Sequence, residues 1–70
     1  MTIGERIKQL REKHQMQIRD LGQASGVFYT LIYRYEKDEH VPEPKTMAKL
    51  AGAFGLTLSE FMEGVDNFGS

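Results

Sequence analysis

Apolar residues recur near the start of the chain at Ile3, Ile7 and Leu10, and these spacings place them on one stripe of a helix. Arg6, Lys8 and Lys13 fall elsewhere on its circumference. Ile18 and Leu21, with the small residues Gly22 and Ala24, give a second helix one packing face. Gly26 interrupts the pattern, and Val27, Leu31, Ile32 and Tyr35 then give a third helix another. Met47, Leu50, Ala51 and Phe54 form a fourth stripe; Leu58, Phe61 and Met62 form a short fifth. Met16 is placed to insert between helices one and two. The pattern predicts an all-α domain of five helices.

The ends of these stripes carry stop and start chemistry. Thr2-Ile3-Gly4-Glu5 and Thr57-Leu58-Ser59-Glu60 both read as capping boxes, in which a threonine hydroxyl takes the N3 amide and the N3 glutamate reaches back. The first helix ends near His14. Glu43-Pro44 opens the fourth with proline at N1, where its missing N–H costs nothing, and Gly55 closes it in the left-handed conformation. The domain is expected over residues 1–64, with 65–70 as a flexible tail.

The stretch from Gln17 to Lys37 organises the rest. Gly26 lies between two short amphipathic segments, where a sharp turn needs a residue at positive φ that any Cβ would strain. Gly22 lies one turn earlier, where a following helix crosses the first and only a very small side chain lets the backbones close. This is the spacing of a helix-turn-helix. Leu21-Gly22, Gly26-Val27, Ile32, Tyr35-Glu36-Lys37 and Val41-Pro42 together resemble the motif of the lambda-repressor-like (Xre, phage repressor type) helix-turn-helix regulators. The resemblance runs from about Ile3 to Glu63.

That resemblance implies a compact five-helix domain with its third helix, residues 28–37, in the DNA major groove. It implies that Arg11 and Glu36 form a partly buried pair tying helix one to helix three; the alternative is two unrelated surface charges. Three positions depart from the family pattern. Gln15 stands where a glycine often closes helix one, so the cap there should be weaker. Gln17 stands at the usual Ser or Thr N-cap of helix two, and glutamine caps poorly. Ile18 replaces a glutamine whose amide touches a phosphate or base edge. Gln17 and Ile18 are therefore either DNA-facing positions with altered chemistry or the start of a scaffold helix.

With Ile32 and Tyr35 buried, helix three turns Phe28, Tyr29, Thr30, Tyr33 and Arg34 outward. Arg34 can take a guanine bidentately, whereas the aromatics can pack on thymine methyls or bond through a phenol. Phe28 has a competing reading as a staple onto the core, and Tyr33 as a surface aromatic. After Glu36, where related proteins show a glycine and then basic residues, this chain has Lys37-Asp38-Glu39. Lys37 is the remaining cation there, and Asp38 and Glu39 are expected to repel phosphate.

Composition narrows the function. The chain has 70 residues, enough for one domain, and no cysteine, so no disulfide or thiolate metal site supports the fold. A reducing cytoplasm is the expected compartment, and no segment reads as a membrane span. The two histidines, His14 and His40, lack partners at ligand or catalytic spacing, so no enzyme activity, metal or cofactor is expected. The net charge is −1, which argues against strong nonspecific DNA binding, although residues 1–16 carry four basic against two acidic residues. The leading expectation is a sequence-specific DNA-binding transcriptional regulator, a repressor by family, acting on a double-stranded operator as a homodimer. Leu58 to Met62 and the loop before it are the expected dimer interface. The other reading turns the aromatic face of helix three to a protein partner.

Overall fold

The computed structural model describes residues 1–66, and its helices are α1 (Ile3–Lys13), α2 (Ile18–Ser25), α3 (Tyr29–Glu36), α4 (Pro44–Ala53) and α5 (Leu58–Phe61). α1, α4 and α5 begin where the sequence supplies a start. The Thr2 hydroxyl accepts from the Glu5 amide at 3.0 Å while the Glu5 carboxylate accepts from the Thr2 amide at 2.8 Å. Thr57 and Glu60 repeat the arrangement at 3.1 and 2.8 Å. Pro44 is the first residue of α4, and Gly55 follows that helix at φ 69°. Gln15, the substitute for a closing glycine, itself adopts φ 57°, a conformation that costs a residue with a Cβ roughly 1 kcal/mol.

α3 lies against both α1 and α2; α2 also meets α4, and α4 meets α5. The core between them is built from Ile3, Ile7 and Leu10 of α1, Leu21 of α2, Val27, Ile32 and Tyr35 around α3, Leu50, Ala51 and Phe54 of α4, and Phe61. Pro42 is fully buried in the connection before α4. Met16, Ile18, Met47 and Met62 pack against this core as half-buried residues.

Several expectations are corrected. Leu31 is exposed, because α1 and α2 cover the side of α3 that carries Ile32 and Tyr35 and leave Leu31, about 100° of helix rotation from Ile32, outside it. Ala24 is likewise exposed on α2. Phe61 is completely buried and Met62 half-buried, which leaves Leu58 as the exposed apolar side chain of the expected dimer interface. The surplus apolar surface foreseen there is core. Of the segment expected as a tail, Val65 packs against the core and the Asp66 carboxylate pairs with the amino terminus at 2.9 Å. The rest, 67–70, lies outside the described residues.

One close approach governs the seam between α1 and α3. A Cβ on Gly4 would collide with the carbonyl oxygen of Tyr35, so only glycine lets the end of α3 rest on the first turn of α1. Gly4 is buried.

Candidate nucleic-acid interface

The turn between α2 and α3 is Gly26-Val27-Phe28. Gly26 has φ 76°, in the left-handed region, and its amide donates to the Gly22 carbonyl at 2.9 Å. The Ser25 hydroxyl donates back to Leu21 O at 2.7 Å and accepts from the Val27 amide at 3.1 Å. That hydroxyl satisfies a turn amide that neither helix can pair. A Cβ on Gly22 would stand 3.0 Å from Val27 O and 3.3 Å from Tyr29 Cβ, so the crossing of the two helices is tight at that point.

The Arg11–Glu36 pair forms as foreseen. Arg11 Nε and Nη2 donate to the two carboxylate oxygens of Glu36 at 2.7 and 3.0 Å, and Nη1 donates to Met16 O at 2.9 Å. Only 12% of the Arg11 side chain and 7% of the Glu36 side chain remain exposed. The hydrogen bonds and charge of Glu36 hold the Arg11 guanidinium above its ordinary pKa, against the opposing effect of burial. One residue pair thus fixes α1, the loop before α2 and the end of α3 in a single geometry.

On this frame α3 presents its outward side. Its regular turns run over Tyr29–Glu36, with Phe28 as N-cap and Lys37 as C-cap, slightly inside the range 28–37 foreseen. Thr30 is half-buried, and Phe28, Tyr29, Tyr33, Arg34 and Lys37 are exposed. Among the described residues none of these six side chains takes part in a hydrogen bond, although the Lys37 ammonium lies 5.4 Å from the centre of the Tyr33 ring. Phe28 is 66% exposed, which removes the staple reading; its ring meets that of Tyr29 at a centroid distance of 5.3 Å.

At the start of α2, Gln17 makes no side-chain cap; the Asp20 carboxylate accepts from the Gln17 amide at 2.8 Å instead. Poor capping by Gln17 is compensated from three residues on. Ile18 is half-buried, packing on the core while lining depressions that open toward Tyr29 and Tyr33. It is scaffold and surface at once.

The charges around this face differ from those foreseen. Arg6 donates to Phe61 O and Glu60 O, both at 2.9 Å, satisfying carbonyls at the end of α5, so it and Arg11 are engaged within the fold. Lys8 and Lys13 are the exposed cations of α1. Arg19 on α2 is exposed and lines the surface beside Tyr29 and Phe28; it belongs to the candidate face although the pattern along the chain gave no reason to single it out.

Asp38 corrects the picture of a repulsive loop. It adopts φ 60°, is half-buried, and accepts a hydrogen bond from Thr2 Oγ1 at 3.3 Å. Its other carboxylate oxygen is buried without a partner beside Gly4. The negative charge therefore sits on the first turn of α1, where the helix dipole favours it, rather than toward the face of α3. Glu39 and His40 are exposed.

Two short helices joined by a left-handed glycine, locked to α1 by a partly buried ion pair and presenting an uncommitted polar-aromatic face, define a helix-turn-helix domain. Residues 7–61 match the helix-turn-helix family HTH_3, and the chain belongs to that family. It is similar to the HTH-type transcriptional regulator DdrOP3 of Deinococcus deserti, with 26% identity over 69 residues that make up 99% of this chain and 54% of that protein. The HTH-type transcriptional regulator PuuR of Escherichia coli is 33% identical over 61 residues, covering 87% of this chain and 33% of PuuR. The immunity repressor protein of Bacillus phage phi105 is 29% identical over 59 residues, 84% of this chain and 41% of the repressor. An HTH_3 family transcriptional regulator from Vibrio cholerae superimposes with a TM-score of 0.81 at 25% identity, covering 86% of this chain and 34% of that one. The chain thus spans from a third to about half the length of these relatives. Among the described residues no helix is long and apolar enough to cross a membrane, and no cluster of His, Cys, Asp or Glu could hold a metal ion.

Proposed function

We propose that this chain is a sequence-specific DNA-binding domain of a transcriptional regulator, a repressor, that sets α3 into the major groove of a double-stranded operator. The observation that carries the reading is the outward side of α3, where the side chains of Arg34, Tyr33 and Lys37 stand exposed and make no hydrogen bond with the described residues. Arg34 reads a guanine through its O6 and N7 acceptors. Lys37, Arg19 and Lys8 meet phosphates around the groove, while Thr30 and Tyr29 approach base edges. Gln17 and Ile18 bring the start of α2 against the rim, and Phe28 extends the contact past the N-terminus of α3. Gly22, Gly26, Arg11 and Glu36 hold these groups in register without touching DNA.

The net charge of −1 makes affinity modest and specificity dependent on base contacts. Neutralising three or four phosphates per domain gives a salt slope of about −2.7 to −3.6 in the log–log plot. Two domains pair on a palindromic site in this proposal, with recognition helices about 34 Å apart; one protein per bound duplex in sedimentation counts against pairing. The regulators named above, the phage immunity repressor among them, support the reading by similarity.

The exposure of Phe28, Tyr29 and Tyr33 also favours a second use, in which the aromatic face takes a protein. Selection of bound duplexes from a random pool separates the two. Enrichment of one motif, with Arg34→Ala relaxing preference at a single guanine and costing about 1 to 3 kcal/mol, supports DNA recognition. Failure to enrich any motif, together with loss of a bound protein on substitution of Tyr29 and Tyr33, supports the second.

A further inference from the structure

Between the first turn of α2 and the outward side of α3 lies a shallow depression of about 360 Å³ lined by Ile18, Tyr29, Thr30 and Tyr33, whose wall presents almost no polar surface. It is not isolated. Ile18 and Tyr29 also border a second hollow with Arg19, while Ile18 and Tyr33 border a third with Lys8 and Lys37. An apolar patch at the centre of the face is therefore flanked by exposed cations on two sides. The acidic groups in those hollows are committed elsewhere: Glu36 is paired with Arg11, and Asp20 accepts from the Gln17 amide.

We infer that this depression is a reader of the C5-methyl group of a pyrimidine, thymine or 5-methylcytosine, in the major groove. The inference rests on the DNA-binding reading above and specifies which chemistry the face selects. Base edges in the major groove present hydrogen-bond donors and acceptors at every pair, and their single apolar feature is the C5-methyl group. A wall of Ile18, Tyr29, Thr30 and Tyr33 with almost no polar surface removes a C5-methyl group from water and gains nothing where that methyl is absent. The flanking cations suit the phosphates on either side of the base being read. Ile18 supplies what a glutamine at the same position would not: an apolar surface already anchored on the core. The site is open, as the edge of a base pair entering from outside requires.

The test uses the unaltered protein and varies the DNA. A duplex enriched from a random pool is resynthesised with uracil in place of each thymine in turn, which removes the C5-methyl group and nothing else. One position per half-site is expected to weaken by about fourfold, corresponding to ~0.8 kcal/mol for one buried methyl carbon. At that position a 5-methylcytosine–guanine pair should bind more tightly than the unmethylated pair. Ile18→Ala should bring the thymine-to-uracil ratio close to one. Equal binding of all the uracil duplexes overturns the methyl reading while leaving DNA recognition intact. Failure to enrich any duplex overturns DNA recognition itself, and the methyl reading with it.

Discussion

Arg11→Ala should be among the most damaging substitutions in this domain. The Glu36 carboxylate is 7% exposed and has both oxygens on the Arg11 guanidinium, so removing Arg11 leaves a desolvated charge with no other side-chain partner among the described residues. Breaking a fully buried pair costs about 3 to 5 kcal/mol, and because Arg11 keeps 12% exposure we expect about 2 to 4 kcal/mol. A domain of 70 residues has roughly 3.5 to 10 kcal/mol in total, so the loss consumes a large part of it. With a urea slope near 1 kcal/mol/M for a protein this small, the midpoint should fall by about 2 to 4 M or the cooperative transition should vanish. Glu36→Ala should cost less, since Arg11 retains its bond to Met16 O at 2.9 Å. Replacing both residues, Arg11→Met with Glu36→Leu, should return to within about 1 kcal/mol of the parent, because neither charge is then stranded. If each single alanine variant unfolds within ~0.5 kcal/mol of the parent, the pair behaves as a solvated surface contact and the reasoning fails.

Other substitutions test other joints. Gly4→Ala should destabilise by more than about 1 kcal/mol, since its Cβ meets the backbone carbonyl of Tyr35; an unchanged thermal midpoint would show that α1 and α3 are further apart. Gly26→Val should cost roughly 1 to 3 kcal/mol from positive φ alone, because open space surrounds the Cβ; calorimetry showing no loss would contradict the turn. Glu39→Gln should tighten binding to every duplex alike and do so less at high salt, whereas Asp38→Asn should lower stability by about 0.3 to 1 kcal/mol and leave DNA affinity unchanged. Fluorescence titration at two salt concentrations separates these two carboxylates, and equal effects on DNA affinity would mean that Asp38 faces the groove after all.

Much of the fold was legible because four of the five helices carry both an apolar stripe and a start or stop residue, and the two kinds of signal agree at Thr2, Gly26, Pro44, Gly55 and Thr57. Periodicity fails where neighbouring apolar residues compete for one face. Leu31 and Ile32 are adjacent, and only the packing of α1 and α2 around α3 selects Ile32. It fails again at Phe61, where a single turn of helix has too few residues to show which side is inward. Long-range contacts left no trace in local pattern. Gly4 looks like an indifferent member of a capping box until the Tyr35 carbonyl arrives beside it, and Asp38 looks like an exposed loop acid until its left-handed backbone turns it onto Thr2. The Arg11–Glu36 pair was legible only through the family resemblance, since 25 positions of chain separate its partners. Arg19 went unread because a cation in the first turn of a helix has no periodic signature; its place beside Tyr29 exists only once α2 and α3 are packed.

In the proposed complex the outward side of α3 and the start of α2 meet DNA. Backbone amide shifts recorded while a selected duplex is added test it most directly. The perturbed amides should cluster at Gln17 to Arg19 and Phe28 to Lys37, while those of Leu50, Ala51 and Phe61 in the core and α5 stay near their free positions. Perturbations centred on α4 and α5, or none at all with a duplex that selection has enriched, would contradict it.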